Sequence, residues 1–104
     1  MGKVTHLPNP LTDIEATIRR LARDSGKVFM SKHANERLVE RRLTMTQVYR
    51  CLQSGEVIEG PTLNSEHRKG WICRMQKLTA GELVQIVCKL IESRGGYILV
   101  ITVI

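Results

Sequence analysis

Hydrophobic and polar positions follow two different periods along this 104-residue chain, and the change of period divides it. Ile14, Ile18 and Leu21 recur at helical spacing, with Arg19, Arg20 and Arg23 where the helix dipole is negative. Thr12-Asp13-Ile14-Glu15 has the form of a capping box, and Asp24-Ser25-Gly26 ends this first helix. Residues 1–10 hold two prolines and little periodicity, so a flexible arm is expected there. Lys27-Val28-Phe29-Met30 is short and apolar, as an extended strand would be. Ser31 then caps a second helix ending near Arg42, and Thr44-Met45-Thr46-Gln47 forms another capping box. The third helix turns Met45, Val48 and Leu52 inward and takes Gly55 as its C′ residue.

Beyond Gly55 the period becomes that of strands. Glu56-Val57-Ile58-Glu59 suggests a short strand, followed by a polar loop from Pro61 to Gly70. Trp71–Leu78, Leu83–Ile91 and Tyr97–Ile104 are longer strands joined by the turn-like segments Thr79–Glu82 and Ser93–Gly96. Placing Leu78 opposite Leu83 sets Trp71 against Leu90, Cys73 against Cys88 and Met75 against Ile86, all on one side of the pleat. The other side then holds Arg74, Gln76, Gln85 and Lys89, and the last strand brings Thr102 beside Val87 and Arg74. Parity alone predicts a polar sheet face with a cationic centre. The last strand is apolar on both faces and requires cover on each, from the first helix, a second copy of the chain or a partner peptide.

Composition narrows the class. The chain is 42% hydrophobic and 25% charged, which suits one globular α+β domain spanning 11–104. With four aromatic residues, its core must be aliphatic. A net charge of +6 favours polyanionic partners, RNA or DNA before an acidic protein. Cys51, Cys73 and Cys88 are odd in number and lack a C-x-x-C spacing, which argues against a zinc site and a secreted disulfide framework. The opposed Cys73 and Cys88 are expected as buried thiols. No apolar run reaches the ~18 residues of a membrane span, and no signal peptide is evident at the N-terminus. The expectation is a cytoplasmic protein without cofactor or metal.

The chemistry concentrates in the second helix. On a helical wheel His33, Arg37 and Arg41 form one stripe flanked by Glu36 and Glu40. An imidazole, carboxylates and guanidiniums on one face suit attack of a ribose 2′-hydroxyl on the neighbouring phosphodiester. That reaction needs a base, an acid and cationic donors around the transition state. His33 lies in the first turn, where the helix dipole favours neutral imidazole, and the arginine forks suit phosphate. Glu36 could orient a cation or act as an alternative base. The competing reading is a solvated face laced by Lys32–Glu36 and Arg37–Glu40 pairs. His67 and Arg68 in the long loop, with Lys77 and Lys89 on the strands, are further candidate phosphate contacts.

The series Phe29-Met30-Ser31-Lys32-His33-Ala34-x-x-Arg37-x-x-x-Arg41 resembles the family called domain of unknown function 4258. So do Leu43-Thr44, Val48, Leu52-x-x-Gly55-Glu56-Val57-Ile58, Gly81-Glu82-Leu83-Val84-x-Ile86-Val87-Cys88 and Ile101-Thr102-Val103. The resemblance spans about residues 27–104. It implies kinship with RelE-type toxins, compact proteins with two helices packed on an antiparallel sheet, many of which cut RNA without metal. For this chain that implies helices on a four-stranded, mainly antiparallel sheet, with an extra N-terminal helix. It points to His33, Arg37 and Arg41 as motif positions, and to Arg74 and Thr102 on the sheet. Relatives commonly carry an aromatic or basic residue just past the Ile-Thr-Val strand, and here that strand is followed by Ile104. The expectations are a toxin-type, metal-independent endoribonuclease or, alternatively, a non-catalytic RNA- or protein-binding module of a mobile element or toxin–antitoxin system. Candidate partners are RNA, an antitoxin-like protein, and a second copy joined through the last strand.

Overall fold

The structure is a computed structural model and describes residues 10–104. The arm expected at 1–10 lies outside these apart from Pro10, which opens helix α1 (Pro10–Leu21). Pro suits a helix start, where its missing N–H costs nothing. The helix therefore begins before Thr12, and Glu15 does not serve a cap. Its carboxylate accepts instead from Val57 N at 2.9 Å and pairs with Arg19 at 3.5 Å, tying α1 to the sheet. Strand β1 (Val28–Met30), helix α2 (Lys32–Glu40) and helix α3 (Met45–Ser54) follow. Ser31 and Thr44 cap α2 and α3, Thr44 within a complete capping box with Gln47. Gly55 ends α3 in an extended conformation, φ −76°, not a left-handed one. Its lack of a side chain is needed for space: a Cβ would lie 2.4 Å from Cys51 O and 2.6 Å from Gln76 O.

Strands β2 (Glu56–Asn64), β3 (Gly70–Thr79), β4 (Glu82–Ile91) and β5 (Tyr97–Val103) complete the chain. The sheet has five strands in the order β1-β5-β4-β3-β2, where the resemblance implied four. The additional strand is β1, which runs parallel to β5 with Phe29 beside Leu99, while the other pairings are antiparallel. β2 also runs further than its sequence suggests. Register shifts between Val57 and Thr62 absorb Gly60-Pro61, and Pro61 is tolerated because β2 is an edge.

The β3–β4 register is the one that parity gives: Trp71 opposes Leu90, Cys73 Cys88, Met75 Ile86 and Leu78 Leu83. Cys73, Met75, Ile86, Cys88, Leu90, Ile98, Val100 and Val103 are buried with Ile14, Ile18 and Leu21 of α1 and Val48, Cys51 and Leu52 of α3. Each large aliphatic side chain here contributes roughly 1.5–3 kcal/mol. The three cysteines are free thiols, with Cys73 and Cys88 Sγ atoms 3.8 Å apart. Burial pushes the Cys51 pKa up to about 12. The contact with Cys73, then burial, raises that of Cys88. No helix among the described residues is long and apolar enough to cross a membrane.

Candidate functional site

Helices α1 and α3 pack on one face of the sheet, and among the described residues no helix covers the other. Strand β5 shows how α2 joins this open face. Beyond Met30 the outer edge of β5 has no strand partner among the described residues, so its carbonyls need other donors. Ser31 Oγ donates to Ile101 O at 2.7 Å while accepting from Ala34 N at 2.9 Å. Arg37 Nε donates to Val103 O at 3.1 Å. One hydroxyl thus caps the helix and closes the sheet edge, and one guanidinium closes the next outward carbonyl. Arg37 also pairs with Glu40 at 3.1 Å, so its fork is largely committed inside the protein. His33 lies one turn earlier on the same flank of α2 and is exposed, as are Glu36 and Arg41.

The open face has a polar end and an apolar end. At the polar end Arg74 opposes Val87, and Val87 opposes Thr102, as the alternation predicts. A register shift at Cys88 gives β5 an extra residue, so that Ile101 lines this face as well as Thr102. Arg74 Nε faces Glu59 Oε1 at 3.3 Å, off the line of a hydrogen bond, which leaves this hidden donor without one. A shallow hollow of about 190 Å³ lies between Arg74, Glu59, Ile72 and Val87. Gln85 bonds Gln76 at 3.1 Å, and Gln76 bonds Glu56 at 3.2 Å, extending the polar ladder to the β2 edge. Thr102 Oγ1 donates to Val103 O at 3.3 Å, the carbonyl that also accepts from Arg37.

At the apolar end Ile72, Ile91, Tyr97, Leu99 and Ile101 line a hollow of about 600 Å³. The β2–β3 connection folds over it, bringing His67 and Arg68 to the rim. His67 has φ +61°, the left-handed region that a tight turn demands. Lys89 reaches beneath this connection, 5% exposed, and donates to Asn64 Oδ1 at 3.0 Å and Glu66 O at 2.9 Å. Phe29 widens the apolar surface, half-exposed and edge-on to Tyr97 with ring centroids 5.5 Å apart.

The structure therefore brings Arg37, Thr102 and Arg74 into one neighbourhood, with Lys89, His67 and Arg68 further along the same face. It does not bring in Lys77. That side chain points to the helix side, in a cleft with Arg19, Ser54 and Glu56. Parity contained the correction, since 77 shares the side of Cys73 and Met75. Sequence reasoning missed Glu59, the partner of Arg74, because the irregularity of β2 breaks the register that would pair them. It also missed Asn64 and Glu66, since no periodicity reports how a connection folds back.

A family model described as domain of unknown function (DUF4258) matches residues 30–104. The chain belongs to this family. Its matched segment begins at Met30 and takes in α2, α3 and β2–β5, leaving α1 outside it. No match was found among curated proteins or among solved structures.

Proposed function

We propose that the chain acts on RNA across the open face of its sheet and the adjoining flank of α2, as a RelE-like, toxin-type endoribonuclease that works without metal. The observation that carries this reading is the shared carbonyl of Val103, which receives both Arg37 from α2 and Thr102 from the sheet. It ties the His33 flank of α2 to β5, and the row Thr102, Val87 and Arg74 leads from there across the open face. In the reaction, the ribose 2′-oxygen attacks phosphorus while His33 takes its proton. The bond from phosphorus to the 5′-oxygen breaks, leaving a 2′,3′-cyclic phosphate, and the proton taken by His33 returns through water to the departing oxygen, giving a 5′-hydroxyl. Arg74 and Arg41 offset charge on the phosphorane-like transition state. Arg37 acts as a positioning residue, holding α2 against β5. His67 and Arg68 extend the surface along the strand direction, while Lys89 is buried beneath their connection and stays off the track.

The test is cleavage of a mixed RNA pool in EDTA, with product ends identified. Cyclic phosphate ends that disappear with His33→Ala and diminish with Arg74→Ala are expected. Full activity in both variants overturns the site, and an uncut pool overturns the enzyme. One observation favours a second reading, a binding module without chemistry: among the described residues no side-chain hydrogen bond or ion pair orients His33. Retained RNA binding without cleavage would support that reading.

A further inference from the structure

The hollow at the apolar end of the sheet combines two features that rarely share a site without a ligand. Its walls are aliphatic, and its floor holds a buried cation. Lys89 is 5% exposed, and its two acceptors are both neutral: Asn64 Oδ1 at 3.0 Å and the Glu66 carbonyl at 2.9 Å. The Asn64 oxygen is shared, because it also accepts from Glu66 N at 3.0 Å. An ammonium has three donors, and among the described residues Lys89 forms no ion pair. A charge taken out of water calls for an opposite charge, which neutral dipoles do not supply.

The remaining groups narrow the ligand. Ser31 already donates to Ile101 O and accepts from Ala34 N, so it offers little to a ligand's polar edge. Ile72, Ile91, Leu99 and Ile101 form the body of the hollow, and Tyr97 is its one lining aromatic, turned edge-on to Phe29. A nucleobase would need a free aromatic face to stack on, and the one tyrosine of the hollow already packs against Phe29. An alkyl chain would not. At about 600 Å³ the hollow is in the range of small-molecule sites.

We propose that this hollow binds a small amphiphilic carboxylate, with its aliphatic body against β4 and β5 and its head group on the free donor of Lys89. The site lies on the same sheet face as the RNA surface but does not depend on it. Its ligand is recognised by one charge and a length of hydrocarbon, and Arg68 at the rim offsets the Glu66 side chain that also lines the hollow.

Calorimetric titration of the full chain with sodium decanoate, decanol and sodium acetate tests this, with amide shifts mapping the location. Decanoate is expected to bind once per chain, shifting the amides of Ile72, Lys89, Leu99 and Ile101. Decanol should bind at least about tenfold more weakly, the worth of one charge-assisted hydrogen bond. Acetate, lacking a body, should give no measurable binding. Lys89→Met should abolish the preference for decanoate over decanol. Leu99→Trp, which fills the hollow and keeps the charge, should abolish decanoate binding even if Lys89→Met does not fold. Absence of decanoate binding, equal affinity for decanol, shifts elsewhere on the protein, or unchanged binding by Leu99→Trp would each overturn the proposal.

Discussion

The two faces of this sheet are made by alternate residues of the same strands and serve opposite ends. On the helix side Met75, Ile86, Cys88 and Val100 are almost wholly buried against α1 and α3. On the other side Ile72, Arg74, Leu99, Ile101 and Thr102 remain half-exposed, with a cation buried beneath a loop. Each face keeps a hidden arginine Nε without a hydrogen bond, Arg19 on the first, together with Thr79 Oγ1, and Arg74 on the second. What sets the second apart is its exposure and an ammonium that, among the described residues, has no counter-ion. Stability should therefore reside in the first and recognition in the second.

The largest effect should come from the buried face. Ile86→Ala removes fully buried volume and should lower unfolding free energy by about 2–5 kcal/mol, whereas Ile101→Ala should cost about half as much or less. Denaturant midpoints measure both, and equal losses would erase the distinction between the faces. Next comes the edge where the faces meet. Arg37→Ala leaves Val103 O with the longer Thr102 hydroxyl contact alone and removes the clasp of α2 on β5, and should cost about 1–3 kcal/mol. His33→Ala, one turn away on the exposed flank, should stay within about 0.5 kcal/mol. If Arg37→Ala is instead neutral while RNA affinity falls, Arg37 is a phosphate contact and not a clasp.

A third test uses the thiols of the core. The Cys51 pKa is near 12 in the fold against an ordinary 9.0, because burial disfavours thiolate. The folded chain thus holds a proton that the unfolded chain releases, and stability present below pH 9 is lost as pH climbs toward 12. The slope attributable to Cys51 is at most about 1.4 kcal/mol per pH unit, and Cys51→Ala should flatten the fall in urea midpoint between these values. A small stability change is expected on the open face as well. Glu59→Gln breaks an exposed pair with Arg74 and should cost under about 1 kcal/mol, while RNA affinity rises as a carboxylate leaves the surface.

The difference between the faces also explains what the sequence disclosed. Apolar alternation from Trp71 to Ile91 fixes which residues lie opposite, so the register and the company of Arg74, Val87 and Thr102 follow from parity. Ser31 and Arg37 were visible as motif residues, but their partners were not. The carbonyls of Ile101 and Val103 become available only because β1 stops at Met30 and leaves the edge of β5 bare. The parallel placement of β1 rests on a crossover through the whole fold, which three residues cannot signal. The hollow was hidden for a similar reason. Its walls were read as the spare apolar face of a last strand, and its roof is a connection whose path is set by Lys89.

The most direct test of the two-faced account is an amide-shift titration with a 2′-O-methyl RNA oligonucleotide, which binds without being cut. Shifts confined to the exposed flank of α2, to the open-face positions around Arg74, Val87 and Thr102, and to His67 and Arg68 are predicted. Shifts centred on Lys77 and Arg19 across the sheet, or none at all, would contradict it.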